Sequence, residues 1–254
     1  MPDTPVTEAL KIDGGRNIVL IGGEIDIPYQ GDNPTRSSRT GLKIRNATGI
    51  VHIEGMLIYG EDLSEGIQID APDAIVQIQN VRIEDIHARD QVDFTDNHPD
   101  LIQPYGNVRE LRVDHFTGST DYQGFMLKAD FNGPLGTVDI SNANIIGRPT
   151  ARYLIWLSNV PDAGDVTFEN VYLDLPSGQY GSLGNAVWPH ERRPYPNQAQ
   201  IIDTSDFEGV TWPSEMSPRV HGYIQEGTPP QGDYVRRDQV GIGYVPVGYS
   251  APTP

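Results

Sequence analysis

The densest set of chemically able side chains in this 254-residue sequence lies in one stretch, Asp93-Phe94-Thr95-Asp96-Asn97-His98-Pro99-Asp100-Leu101-Ile102-Gln103-Pro104-Tyr105-Gly106. His98, Asp100 and Gln103 form a His-x-Asp-x-x-Gln pattern. It groups a titratable imidazole, a carboxylate and an amide, which together can move a proton and orient a polar ligand. Asp93 and Asp96 offer the oxygen ligands that calcium takes. Asp121 and the Lys128-Ala129-Asp130 triplet lie further along the chain. In β-elimination of a uronic acid, Lys128 or Arg152 would act as base or clamp, with Asp93, Asp96 and Asp100 holding calcium. In glycoside hydrolysis two carboxylates flank the bond, and Asp100 with Asp121 or Asp130 would supply them. Plainer roles compete with these. His98 before Pro99 can cap a turn, Asp100 can bond backbone amides, Asp93 and Asp96 can be turn formers, and Lys128 can lay its stem over apolar neighbours.

The elements that must position these groups come from an internal repeat. Segments starting at Leu10, Leu42, Ile67, Ile102, Phe125 and Ile155 each hold a short alternating strand, a turn, a second strand, a small or amide residue and a third strand. Runs such as Ala74-Ile75-Val76-Gln77-Ile78 alternate with a period of two, and the first 175 residues carry no amphipathic helix. The starts are 32, 25, 35, 23 and 30 residues apart, as coils of constant length with loops of variable length would give.

Alignment puts Gly22, Gly55, Asn80, His115, Asn142 and Asn170 at one bend, where glycine and asparagine tolerate left-handed backbone. Stacked amides there can hydrogen-bond from coil to coil. On this pattern, residues 8–212 resemble the right-handed parallel β-helix proteins of the pectin-lyase-like superfamily. The resemblance implies an all-β, single-stranded solenoid of about six to seven coils, in a group that contains lyases, hydrolases, esterases, phage spikes and adhesins. The His98–Gln103 pattern, with Asp121-Tyr122-Gln123-Gly124-Phe125 after it, also resembles bacterial β-helix proteins that act on or bind polysaccharide.

Coils stack about 4.8 Å apart, so equivalent outward residues form columns. With Leu42, Ile67, Ile102, Ile155 and Val187 inward, one column reads Lys43, Gln68, Gln103, then Lys128 or Met126, then Trp156 and Trp188. Strict alternation cannot turn both Asp100 and Gln103 outward unless the strand begins with a bulge. Trp156 and Trp188, beside Tyr153 and Tyr105, present flat faces suited to sugar rings, with Gln103 and Arg152 fixing orientation. A structural spacer predicts instead that both tryptophans lie beneath the tail.

Composition sets the outer limits. Eighteen basic residues face 35 acidic ones, a formal charge of −17, which argues against nucleic acid and anionic membranes as general partners. Three of the basic residues are lysines, and there is no cysteine, so thiolate chemistry and disulfides are excluded. No signal-peptide pattern opens the chain, and no apolar run approaches a membrane span. Localisation stays open, with an extracellular or virion-associated setting expected ahead of a cytoplasmic one. Ten prolines fall within residues 189–254, and alternation fades after Trp212. The reading is therefore a parallel β-helix over 1–212, with an irregular, proline-rich tail over 213–254 that packs on or caps it. The expected function is a polysaccharide lyase or hydrolase, monomeric, with calcium as the one cofactor to consider. The alternatives are a glycan-binding or spike-like module, which would be a homotrimer, and a structural spacer.

Overall fold

The computed structural model describes residues 1–32, 34–88, 99–105, 107–128, 135–158, 164–188, 200–204, 207–211 and 220–247, with only the backbone course for 200–211. The chain is an all-β parallel solenoid of about five turns, slightly fewer than the repeats suggest. The reason lies at its ends. The strands of the first coil have three or four residues. The strand Val187–Trp188 has two, and the strands after it, Gln200–Thr204 and Phe207–Thr211, pair antiparallel instead of continuing the coil.

Each coil contributes to three sheets. The first contains Leu10–Asp13, Thr40–Arg45, the start of Glu65–Ile86, Asp100–Gln103, Gln123–Lys128, Ile155–Ser158 and Val187–Trp188, all parallel. Its inward ladder is Leu10, Leu42, Ile67, Ile102, Phe125, Ile155 and Val187, register-paired from coil to coil. From Leu42 onward each is at most 1% exposed. Burying side chains of this size contributes roughly 1.5–3 kcal/mol apiece, before the entropy of ordering them.

The second and third sheets are two halves of longer strands that bend at one residue per coil. That residue is the one marked by the repeat. Gly22, Gly55, Asn80, His115, Asn142 and Asn170 have φ of 59°, 70°, 50°, 51°, 47° and 53°. The amide ladder forms in the later coils. Asn170 Nδ2 donates to Asn142 Oδ1 at 3.1 Å, and Asn142 Nδ2 to Asp114 Oδ1 at 2.8 Å. His115 is structural, its Nδ1 lying 2.9 Å from Asp114 Oδ1.

Beyond residue 212, Val220–Glu226 is a further parallel strand against Val166–Asp174. The chain then runs back along the outer face of the third sheet. Asp233 accepts from Asn144 Nδ2 at 2.9 Å and from Arg82 Nη1 at 2.8 Å. Val235 N donates to Thr117 Oγ1 at 3.0 Å, and the Tyr244 hydroxyl donates to Glu54 Oε1 at 2.7 Å. At the N-terminal end Gly241 N donates to Gly55 O at 2.8 Å and Gly23 N to Gly241 O at 2.9 Å. Residues 233–244 thus form a strap tying late coils to early ones. None of the described helices is long and apolar enough to cross a membrane.

Candidate functional site

The first sheet carries a feature that simple alternation hides. In each coil two consecutive residues turn toward the core before the strand resumes its pleat. The pairs are Gly66-Ile67, Leu101-Ile102, Gly124-Phe125, Leu154-Ile155 and Ala186-Val187, and every non-glycine member belongs to the hydrophobic core. A Cβ added at Gly66 would lie 2.4 Å from Leu101 O and 2.8 Å from the core side chain of Ile83, so that position admits no side chain. The residues flanking each pair share the outer face as a result. With two core residues between them, Asp100 and Gln103 share one side although the register between coils is not shifted. This arrangement creates a second outward column, Thr40, Glu65, Asp100, Gln123, Tyr153 and Asn185, beside the expected one. The expected column runs Lys11, Lys43, Gln68, Gln103, then Met126, Trp156 and Trp188. Met126 takes the place for which Lys128 was the other candidate. Lys128 lies two residues further on, opposite Ser158.

At the centre of this face Glu65 and Asp100 occupy adjacent coils, both with no exposed surface. Arg36 Nε donates to Glu65 Oε1 at 2.8 Å, its Nη2 donates to the same oxygen, and Nη2 also donates to Gln103 Oε1 at 3.0 Å. Arg36 is placed by a short 3-10 helix, Arg36–Arg39, whose N-cap Thr35 accepts from Ser38 N at 3.2 Å. Buried Arg39 anchors that turn, donating to Asp62 O at 3.1 Å and His87 O at 3.3 Å. Tyr105 comes a turn after Gln103, and the Arg36 guanidinium lies 5.9 Å from its ring centroid.

Electrostatics separates the carboxylates. Burial and then the charge of Asp100 push the Glu65 carboxyl up to about 8, against the opposing pull of Arg36. Glu65 therefore holds its proton to a higher pH than an ordinary glutamate does. Burial works to lower the Arg36 guanidinium, but Glu65 and Asp100 outweigh it and hold it above its ordinary value.

Toward the C-terminal coils the face becomes aromatic. Trp156 and Trp188 stack with centroids 5.1 Å apart, and Tyr153 meets each edge-on at 5.2 Å. Tyr180 closes on Tyr153 at 5.1 Å. Trp188 and Tyr153 are buried at 8% and 4% exposure, whereas Trp156 is half-buried, so the first two support the third. The Arg152 guanidinium sits 4.8 Å from the Tyr122 ring centroid and donates to its hydroxyl at 3.4 Å. The described part of the tail lies on the third sheet, so it is not what covers the tryptophans.

Several hydrogen-bonding atoms on this face are left over. Among the described residues, Glu65 Oε2, both amide atoms of Gln123 and Asn185 Oδ1 are buried without a hydrogen-bond partner, and all belong to one column. Buried polar groups are ordinarily satisfied, so such a concentration marks a place where something else completes the bonding.

Of the residues singled out from sequence, Asp100, Gln103 and Tyr105 come together around Arg36, and Tyr153, Trp156 and Trp188 form the aromatic end, with Arg152 reaching in through Tyr122. Asp121 does not join them: it lies before the strand Gln123–Lys128 begins and accepts from Ala88 N at 3.0 Å. His98, Asp130, Asp93 and Asp96 lie outside the described residues, and with them the calcium site. Among the described residues no cluster of metal-ligating side chains occurs. Sequence reading missed Glu65, Arg36, Gln123 and Asn185. The repeated pair of core residues, glycine or apolar followed by apolar, was the signal that could have found all but Arg36. No known protein family, curated protein or solved structure matches this chain.

Proposed function

We propose that the chain is a carbohydrate-active β-helix of the pectin-lyase-like kind, engaging a polysaccharide along the outer face of its first sheet. The observation that carries this reading is the set of unsatisfied polar atoms on Glu65, Gln123 and Asn185, in one column beside an aromatic platform at Trp156. Sugars fit both halves of that description. Their hydroxyls supply donors and acceptors to Gln123 and Asn185, and their apolar ring faces stack on Trp156.

Glycoside hydrolysis is favoured over elimination. It needs one carboxyl protonated and one ionised, and burial beside Asp100 supports the first role for Glu65. Glu65 would give its proton to the glycosidic oxygen as the bond to the anomeric carbon breaks. Asp100 would bond to that carbon or stabilise its charge. Water would then release the sugar, returning a proton to Glu65. The one-coil offset of about 4.8 Å suits a retaining pair better than an inverting one. Every group named belongs to one chain, so a monomer suffices.

A second reading, a glycan-binding module without catalysis, is favoured by the complete burial of both carboxylates. Incubation with a broad polysaccharide panel separates the two. New reducing ends that vanish in Glu65→Gln support hydrolysis, and binding without new ends supports the module. Absorbance near 235 nm, if it appears, returns the reading to elimination.

A further inference from the structure

The ladder of side chains along the bends has a direction, and one of its rungs is missing. In the later coils each side chain donates toward the N-terminal end, Asn170 Nδ2 to Asn142 Oδ1 and Asn142 Nδ2 to Asp114 Oδ1. The early coils keep this sense with help from the strap. Asn80 Nδ2 donates to the Tyr244 hydroxyl at 3.0 Å, and that hydroxyl donates to Glu54 Oε1. Between the two runs the donor should come from His115, whose bend lies one coil beyond that of Asn80. His115 instead places Nδ1 2.9 Å from Asp114 Oδ1, within its own coil. That contact is structural, but it leaves the rung open. A carboxylate only accepts, so Nδ1 carries the hydrogen and Nε2 of the neutral ring is an acceptor. Asn80 Oδ1 and His115 Nε2 are thus both acceptors, and neither has a hydrogen-bond partner among the described residues.

A cavity of about 230 Å³ opens here, lined by Asn80, His115, the rings of Tyr234 and Tyr244, and the apolar Val235 and Val240. It is smaller than the roughly 300–1,000 Å³ of pockets for drug-sized ligands, so a small molecule fills it. No lysine or arginine lines it. Arg82 and Arg237 of the third sheet and strap are paired with Asp233 and Glu84. Asp114 and Glu54 stand just behind His115 and Tyr244. Two acceptors on coils about 4.8 Å apart can be bridged by one nitrogen that donates to both. The tyrosine rings and flanking carboxylates favour a positive charge on that nitrogen, and the valines favour an apolar body behind it. We propose that this cavity binds a primary ammonium group on a small apolar or aromatic body, with the ammonium supplying the missing rung between Asn80 and His115. An alcohol has one hydrogen and cannot serve both acceptors, and a carboxylate has none to give. The site lies on the strap side of the molecule and does not depend on the polysaccharide reading.

The test is an NMR titration of the intact protein with benzylammonium, benzyl alcohol, benzoate and benzyltrimethylammonium, four probes that share one body. Benzylammonium should bind at least about tenfold more tightly than the other three and should shift the His115 Nε2 resonance. His115→Asn puts into the gap the amide that neighbouring coils use, and asparagine tolerates the left-handed backbone there. This variant should keep or raise the parent melting temperature and lose about tenfold or more in benzylammonium affinity. His221→Asn, at an exposed histidine of the strand Val220–Glu226, should change neither. The Nε2 shift is read in the parent protein, so the location is tested even if the variant is unstable. Benzylammonium binding no tighter than benzyl alcohol, or binding untouched by His115→Asn, overturns the site. Equal binding of benzyltrimethylammonium overturns it too, because that cation has no N–H to donate. Failure of all four probes to bind does the same.

Discussion

The outer faces of the first and third sheets are built by the same coils and the same pleat, yet they finish differently. On the third sheet, Arg82, Thr117 and Asn144 are register neighbours, and Asp233, Tyr234 and Val235 complete their hydrogen bonds. Leu57 packs with Val235 and Val240 in a small apolar cluster of its own. On the first sheet, Glu65, Gln123 and Asn185 keep unsatisfied atoms. One face is closed by the chain's own strap and contributes stability. The other keeps buried polar atoms whose hydrogen bonds nothing among the described residues completes.

Changes on the two faces should therefore be separable, and the largest effect belongs to the first sheet. Glu65→Gln should lower hydrolysis by about 10²- to 10⁴-fold, read as reducing ends released. The same variant should alter the response of stability to pH. Glu65 titrates near 8 in the folded chain against an ordinary 4.5. Above about pH 4.5 the unfolded chain gives up this proton while the folded chain keeps it. Stability should thus fall as pH rises from about 4.5 to about 8 and level off beyond. Denaturation midpoints across that range should lose this slope in Glu65→Gln.

The closed face comes next. Gly55 has φ of 70°, and a Cβ there would lie 2.0 Å from the Tyr244 ring. Gly55→Ala should cost about 2–4 kcal/mol in chemical denaturation, through backbone strain and loss of the strap's last contact. Glycan affinity should not change. A fall in affinity would mean that the two faces are coupled.

Trp156→Ala should weaken glycan binding about tenfold, near 1.4 kcal/mol, with little change in melting temperature because its ring is only half-buried. Trp188→Ala, at a nearly buried position, should instead destabilise. A comparable cost, in stability alone, is expected from Asn142→Ala. It breaks two rungs of the amide ladder and forces alanine into left-handed backbone, for about 1–2 kcal/mol and no functional consequence.

The bend residues were legible because one local requirement, left-handed backbone, admits few side chains, and all six expected positions adopt it. The inward ladder was legible for a similar reason, since alternation and stacking impose the same register on every coil. The second outward column was not. Its condition is a pair of consecutive core residues, and a rule of period two reads one member of each pair as facing outward. Glu65 suffered most, because Glu-Gly-Ile-Gln reads as an ordinary strand start. Its raised pKa arises from burial and from Asp100, distant along the chain and one coil away in space. Arg36 lies in a loop with no repeat to mark it.

The sequence by itself determined the solenoid, its bends and the identity of one outward column, because these arise from local conformation and from a periodicity repeated in every coil. Tertiary structure decided which residues meet on the first sheet, that Glu65 rather than Asp121 stands beside Asp100, and that the described part of the tail lies along the third sheet. Those outcomes depend on coil-to-coil register and on loops of unequal length. Neither leaves a periodic signature, because contacts across coils are set by stacking and not by distance along the chain.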